Sequence, residues 1–296
     1  MNVGFIGLGQ MGRHMAANLY RGGVSLRVCD ANPQAVEALS KEGVKKADSP
    51  AELAAWADVV FLSLPSVEIV ERVIFGEGGI AGSAKDGLLL VDLGTTSYLA
   101  TLEIGERLAK AGVNFADAPV SGMESRARDG QLTIMCGGEE ALFERLRPLF
   151  ERIGNCVLYL GALGSGQLGK LINQLLFDIN AAALGEMLGL AAKLGLDPEK
   201  TVQILNSGTG RSWASEFFGP RILEGNFSEG YAMENAYKDI AAGSELSARL
   251  RIPLPVLSAA SAIYQTALCM GLGGGDKGSM VKVYEEILGV QFRRQG

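Results

Sequence analysis

"GFIGLGQMGRHMAANL", residues Gly4 to Leu19, decides the reading of the N-terminal half of this chain. Inside it, Gly7-Leu8-Gly9-Gln10-Met11-Gly12 has the spacing of a dinucleotide-binding turn. With 40 glycines in the chain that spacing is weak alone, so its neighbours must carry the argument. Asn2 to Ile6 precedes it and reads as a buried strand. Met11 to Arg21 follows as a helix that stops at Gly22-Gly23. Ser25 to Cys29 is a second strand, and Asp30 ends it about 20 residues beyond the turn. In that context Gly7 allows the tight turn, Gly9 lets the backbone approach a pyrophosphate, and Gly12 lets helix and strand pack closely. The helix N-terminus offers free N–H groups and partial positive charge to the phosphates. Leu8, Gln10 and Met11 supply the rest of that turn. Asp30 can accept hydrogen bonds from ribose hydroxyls and would repel a 2'-phosphate, and no Arg stands at position 31 or 32. NAD is therefore expected over NADP.

The strand–helix rhythm continues outward from this unit. Pro33 to Lys41 reads as a helix closed by Gly43, and Val59 to Leu64 as a buried strand stopped by Pro65. Leu88 to Leu93 and Val113 to Ala116 are strands with a helix, Ser97 to Ala111, between them. Leu132 to Cys136 and Cys156 to Leu160 complete the series. This alternation predicts an α/β, Rossmann-type doubly wound parallel sheet with helices on both faces. After Gly161 the texture changes. Gly166 to Leu194 predicts one long helix, apolar nearly all round and buried on several sides. Further helices are expected over Pro198 to Leu205, Ile240 to Leu250, Leu254 to Leu268 and Ser279 to Leu288, with no return of strands. The expected division is a cofactor-binding domain over 1–161 and an all-helical substrate and oligomerisation domain over 162–296, joined through the long helix.

Composition bounds the function. The 296 residues carry a net charge of -6, the wrong sign for a general nucleic-acid binder. The long helix is too polar at Lys170, Asn173, Gln174, Asp178 and Glu186 to be read as a membrane span, and no signal peptide is read at the N-terminus. Cys29, Cys136, Cys156 and Cys269 lie far apart and read as buried free thiols, which with the rest points to a cytoplasmic protein. His14 is the single histidine, so no Ser-His-Asp triad or His-rich metal site has a second imidazole to draw on. It reads as structural. Trp213 and Phe217-Phe218 read as helical core.

Four motifs in order give the chain a family likeness: Gly4 to Leu19; Asp117-Ala118-Pro119-Val120-Ser121-Gly122; Gly161 to Asn173 (GALGSGQLGKLIN); and Lys238-Asp239. Nearly end to end it resembles the β-hydroxyacid dehydrogenases, which include 3-hydroxyisobutyrate dehydrogenases and tartronate semialdehyde reductases. The resemblance implies an NAD-dependent enzyme that interconverts a small 3-hydroxy carboxylate and its semialdehyde. It also implies a homodimer or homotetramer built around the long helix, with the active site between the two domains. Lys170 takes the place of the family's catalytic lysine. Its apolar flanks Leu168, Leu171 and Ile172 and the helix dipole would favour a neutral amine. The resemblance implies that Ser121 and Gly122 hold the substrate carboxylate and that Leu64 and Pro65 wall the nicotinamide; Asn173, one turn after Lys170, could orient the substrate hydroxyl or Lys170 itself, with Gln174 beside it among the substrate-binding residues. Thr95 would contact cofactor ribose or substrate, and Lys238 would reach the cofactor. No metal is needed, because a lysine ammonium can stabilise the oxyanion.

Departures from the family pattern bear on the substrate. Met123 stands where a second glycine is usual, Gly94-Thr95 where Ser followed by Ser or Thr is common, and Tyr98 in place of a frequent proline. Arg211, in the stretch NSGTGRSW, could pair a second carboxylate. Two other classes share the architecture: imine reductases acting on C=N, and non-catalytic NAD-binding modules. Both characteristically lack the lysine.

Overall fold

The computed structural model describes residues 1–294. Its backbone groups into two compact units, Met1–Lys170 and a second beginning at Leu171. The first is built from β1 (Asn2–Ile6), α1 (Gly12–Arg21), β2 (Ser25–Cys29), α2 (Pro33–Lys41), β3 (Lys45–Lys46), α3 (Pro50–Trp56), β4 (Val59–Leu62) and α4 (Val67–Phe75). It continues with β5 (Leu89–Asp92), α5 (Tyr98–Lys110), β6 (Asn114–Asp117), β7 (Val120–Ser121), α6 (Met123–Arg128), β8 (Leu132–Gly137), α7 (Glu140–Ile153) and β9 (Gly154–Gly161). Ser49, Ser66 and Ser97 start α3, α4 and α5 by accepting a backbone N–H from inside the first turn.

The strands run in the order β3-β2-β1-β4-β5-β6-β8-β7, with β9 beside β8. From β3 to β6 every pairing is parallel. Winding reverses between β1 and β4, and the carboxyl ends of those strands are where a doubly wound sheet opens a crevice. Alternate residues feed two cores, as a sheet covered on both faces requires. Val3, Phe5, Val59 and Phe61 pack with Met15, Leu19 and Phe150 on one face. Ile6, Val60 and Leu62 pack with Leu53, Ile74 and Ile104 on the other.

The sheet is not parallel throughout. β8 runs antiparallel to both β6 and β7. The link from β7 to β8 holds only the short α6, and a parallel crossover needs about a dozen residues or more. β9 then pairs parallel with β8 across the fourteen-residue α7.

The second unit is helical. α8 (Ser165–Lys193) enters it and is followed by α9 (Pro198–Ser207), α10 (Trp213–Leu223), α11 (Met233–Leu250) and α12 (Pro255–Cys269). A single 3-10 turn over Lys277–Met280 leads into α13 (Val281–Leu288). Ala181, Leu184 and Leu188 of α8 pack with Val202, Phe218 and Ile222. Ala182 packs with Ile240, Leu257, Tyr264 and Met280. The mid-helix glycines matter here, because a Cβ at Gly189 would overlap Tyr284.

Among the described residues α8 is the one helix long and apolar enough to cross a membrane by length and composition. Its core contacts and the buried ion pair between Asp178 and Lys277 make it the central helix of this unit. It is less enclosed than its composition suggested: Ile172, Leu176, Met187, Leu190 and Leu194 form an exposed apolar stripe. α10 went unread because Gly208 and Gly210 precede it and Pro220 interrupts its pattern. Locally a capping box of Ser212 and Ser215 starts it. Trp213 is 60% exposed rather than core, whereas Phe218 is buried. All four cysteines are free, but Cys269 is exposed and only Cys136 is fully buried.

Candidate functional site

The glycine turn leaves the carboxyl end of β1. Gly7 has φ +96, and a Cβ there would overlap the Ser63 carbonyl oxygen at the end of β4. A Cβ at Gly12 would overlap the Gly7 carbonyl, so the first turn of α1 lies directly against the strand end. A Cβ at Gly9 would meet nothing within 4 Å. Open space over Gly9, beside the positive end of the α1 dipole, is the cradle a pyrophosphate needs. Asp30 Oδ2 accepts the Leu8 N–H at 2.5 Å, and Oδ1 accepts the Asn32 N–H at 2.7 Å. Each oxygen keeps a second lone pair for a ribose hydroxyl. The residues present therefore fit a dinucleotide.

Leu64 and Thr95 follow strands β4 and β5, and Ser121 is the last residue of β7. Pro65 and Thr95 are exposed, and Leu64 is half-buried. A Cβ at Gly94 would lie 2.9 Å from the Leu64 carbonyl oxygen, which explains glycine at this position: the two strand ends approach too closely for a side chain. Gly122 has φ +145 and begins α6. Met123 follows in the left-handed region at φ +62, one of two non-glycine residues there among the described residues, and its side chain is 46% exposed. The family's glycine would sit in that conformation without strain.

Glu124, which sequence reasoning passed over, ties this turn to α1. Its carboxylate accepts from the Gln10 amide at 2.7 Å, contacts His14 Nε2 at 3.0 Å, and pairs with the Arg13 guanidinium. Hydrogen bonds from His14, Gln10 and Arg13 hold its carboxyl down to about 2. The histidine thus helps tie α1 to the turn before α6. No sequence signal could have paired positions 110 residues apart.

Lys170 is the sixth residue of α8 and only 9% exposed. It lies in the second turn rather than the first, so the helix dipole, which fades within one turn, acts on it little. Ile172, expected to shield it, is exposed. What surrounds the start of α8 is polar and buried. Asp117 Oδ1 accepts the Gly164 N–H and Oδ2 the Gln167 N–H, each at 2.7 Å. The Gln167 side chain accepts the Thr96 N–H at 3.1 Å and donates to the Gly94 carbonyl at 2.9 Å. The Thr96 hydroxyl donates to Asp92 at 2.6 Å. Burial pushes the Asp117 carboxyl up to about 6 against the pull of its two N–H donors, and burial raises Asp92 as well.

In the second unit, Asn173 is exposed and donates to Gln174 at 3.4 Å; Gln174 in turn donates to Asp239 at 3.3 Å. Lys238 is exposed on α11 and donates to Asn235 at 3.2 Å. Arg211 is exposed and paired with Glu216 at 2.7 Å. Among the described residues no group of His, Cys, Asp and Glu side chains could hold a metal ion.

Comparison with known proteins agrees with this arrangement. Residues 2–161 match the NAD binding domain of 6-phosphogluconate dehydrogenase. Residues 164–284 match the family described as NAD-binding of NADP-dependent 3-hydroxyisobutyrate dehydrogenase. The 2-(hydroxymethyl)glutarate dehydrogenase of Eubacterium barkeri is 38% identical over 98% of this chain and 97% of its own length. The 2-hydroxy-3-oxopropionate reductase of Escherichia coli is 35% identical over 96% of this chain and 97% of its own. A solved structure of Mycobacterium tuberculosis 3-hydroxyisobutyrate dehydrogenase with L-serine superposes with a TM-score of 0.86 at 29% identity, covering 95% of this chain and 98% of that one. A dinucleotide turn of the required geometry, a buried lysine on α8 and relatives matched over nearly their whole length place this chain in the β-hydroxyacid dehydrogenase family, oxidoreductases that work with a nicotinamide cofactor.

Proposed function

We propose that the enzyme uses NAD to interconvert a small 3-hydroxy carboxylate and its semialdehyde, with Lys170 as the proton carrier. Residues 1–161 would hold the cofactor and 162–296 would serve substrate and oligomer contacts. The single observation that carries the reading is a buried lysine on a helix whose start is anchored to the carboxyl ends of β5 and β6. When bound, the nicotinamide takes up or returns the hydride at the substrate carbon. Lys170 as a neutral amine accepts the hydroxyl proton during oxidation, and as ammonium donates it to the forming alkoxide during reduction. Ser121 and Gly122 would bind the substrate carboxylate, with Met123 shaping that end of the pocket. Asn173 and Gln174 would orient the substrate. Leu64, Pro65 and Thr95 would line the cofactor side, and Lys238 would approach it.

Asp30 favours NAD, since a carboxylate that hydrogen-bonds a free 2'-hydroxyl repels a 2'-phosphate. Relatives named for 2-(hydroxymethyl)glutarate, 2-hydroxy-3-oxopropionate and 3-hydroxyisobutyrate bracket the substrate class. The exposed apolar stripe on α8 supports a homo-oligomer. Lys170 also separates this reading from an imine reductase or a non-catalytic module.

NADH formation across a panel of hydroxyacids, repeated with NADP, tests the proposal. Turnover of at least one 3-hydroxy carboxylate is expected, with NAD preferred by about tenfold or more, the worth of one charge-assisted contact. Asp30→Ser should erode that preference. Turnover of none of the panel, or equal rates with NADP, would count against it.

A further inference from the structure

We propose that Asp117 is the positioning residue for Lys170: from the end of β6 its carboxylate fixes the start of α8, and with it the lysine one turn beyond Gln167. This rests on the reading of Lys170 as the proton carrier. Both Asp117 oxygens are committed, one to the Gly164 N–H and one to the Gln167 N–H, and the residue is fully buried. A helix ordinarily takes its cap from the residue before it. This one takes it from a strand about fifty residues earlier.

Two glycines make the approach possible. A Cβ at Gly166 would overlap the Met135 carbonyl and lie 2.8 Å from Asp117 Oδ2, and one at Gly137 would lie 2.6 Å from Oδ1. Gln167 adds a second tie, to Thr96 and Gly94 beyond β5. The turn before Lys170 is therefore pinned to two adjacent strand ends, next to Thr95 and just before Ser121. Burying a carboxylate with no cation among its hydrogen-bond partners is costly in stability. What it returns is placement, and an error of about 1 Å in a reacting group costs about 10²-fold in rate.

The ionised carboxylate accepts both N–H groups in charge-assisted bonds, and protonation removes that charge and weakens the tie, most at the oxygen that takes the proton. With its carboxyl at about 6, Asp117 should hold the start of α8 less firmly as the pH falls through that value, and kcat should fall with it. The titratable groups facing it are Asp92, which raises it further, and the Cys136 thiol, which burial pushes up to about 12 and so keeps neutral.

Asp117→Asn presents one acceptor and one donor. It should lower kcat about 10²-fold while leaving the dissociation constant for NADH within twofold, and the acid limb near pH 6 should vanish. In a Lys170→Ala background the same substitution should cost nothing further. Asp117→Asn with kcat within threefold of wild type overturns the proposal, as does a full additional loss on top of Lys170→Ala. A Lys170→Ala enzyme as fast as wild type overturns the lysine reading and this proposal with it. Loss in Lys170→Ala with none in Asp117→Asn overturns this proposal alone. Should Asp117→Asn not fold, Gln167→Met removes the second tie; about a tenfold fall in kcat with unchanged NADH binding is expected, and unchanged kcat contradicts the proposal.

Discussion

Asp117 and Asp178 are both fully buried, and burial lifts both carboxyls to about 6. They are satisfied in opposite ways. Asp117 meets two backbone N–H groups at the start of α8 and has no cation among its hydrogen-bond partners. Asp178, inside α8, is paired with the buried Lys277 ammonium, which also lies 4.1 Å over the Phe177 ring, while Asp178 Oδ2 has no hydrogen-bond partner among the described residues. Backbone donors cannot move without moving the helix. A lysine side chain can. The first arrangement therefore fixes a geometry, and the second holds two elements together around a charge pair. On the proposal above, the first serves the placement of Lys170 and the second the packing of the helical unit.

Breaking the ion pair should produce the largest change in stability. Lys277→Met leaves Asp178 buried without its cation, which costs about 3–5 kcal/mol whether the carboxyl stays charged or must take up a proton. Adding Asp178→Leu should recover most of it, because two apolar side chains need no partner. Denaturant unfolding of the single and double variants checks this, and a double variant as unstable as the single would show that the pair is not the cause.

The pH dependence of stability sharpens the comparison. An acid whose carboxyl is raised on folding contributes stability that is present below its unfolded value, near 3.8, and lost as the pH rises through about 6. The Asp178→Leu/Lys277→Met variant should thus lose less stability than wild type between pH 4 and 6, since Asp178 no longer titrates in it. Parallel profiles for the two proteins would contradict the assignment.

Met123 gives the smallest effect. A non-glycine residue at φ +62 carries about 1 kcal/mol of strain. Met123→Gly should raise stability by up to that amount and alter the substrate profile. A variant unchanged in both would place Met123 outside the pocket.

The two regions also differed in how far they could be read beforehand. The glycine turn was legible because its requirements are local: Gly12 answers to the Gly7 carbonyl, Gly7 to the end of the neighbouring strand, and Gly9 leaves open space over the turn. Strands β1, β2, β4, β5 and β6 and the extent of α8 followed from periodicity for the same reason, whereas the two-residue β3 is too short to leave a period. Asp117 was visible only as the first letter of a motif. Its bonds to Gly164 and Gln167 cross sequence separations of 47 and 50 residues, which no period records. Glu124, Gln167 and the Asp178–Lys277 pair were hidden in the same way. The antiparallel β8 escaped because strand rhythm reports that a strand exists, not its direction. Met123 was the exception: its departure from pattern was readable, and the positive φ gives it a physical cost.

The most direct measurement is kcat of Lys170→Ala with its best hydroxyacid, made alongside NADH binding on the same preparation. A positioned general acid or base contributes about 10²–10⁴-fold, so kcat should fall by that factor with NADH affinity retained. Lys170→Arg should be nearly as slow, because a guanidinium does not release its proton near neutral pH. A Lys170→Ala enzyme with near wild-type kcat would contradict the assignment and place the proton transfer on another group.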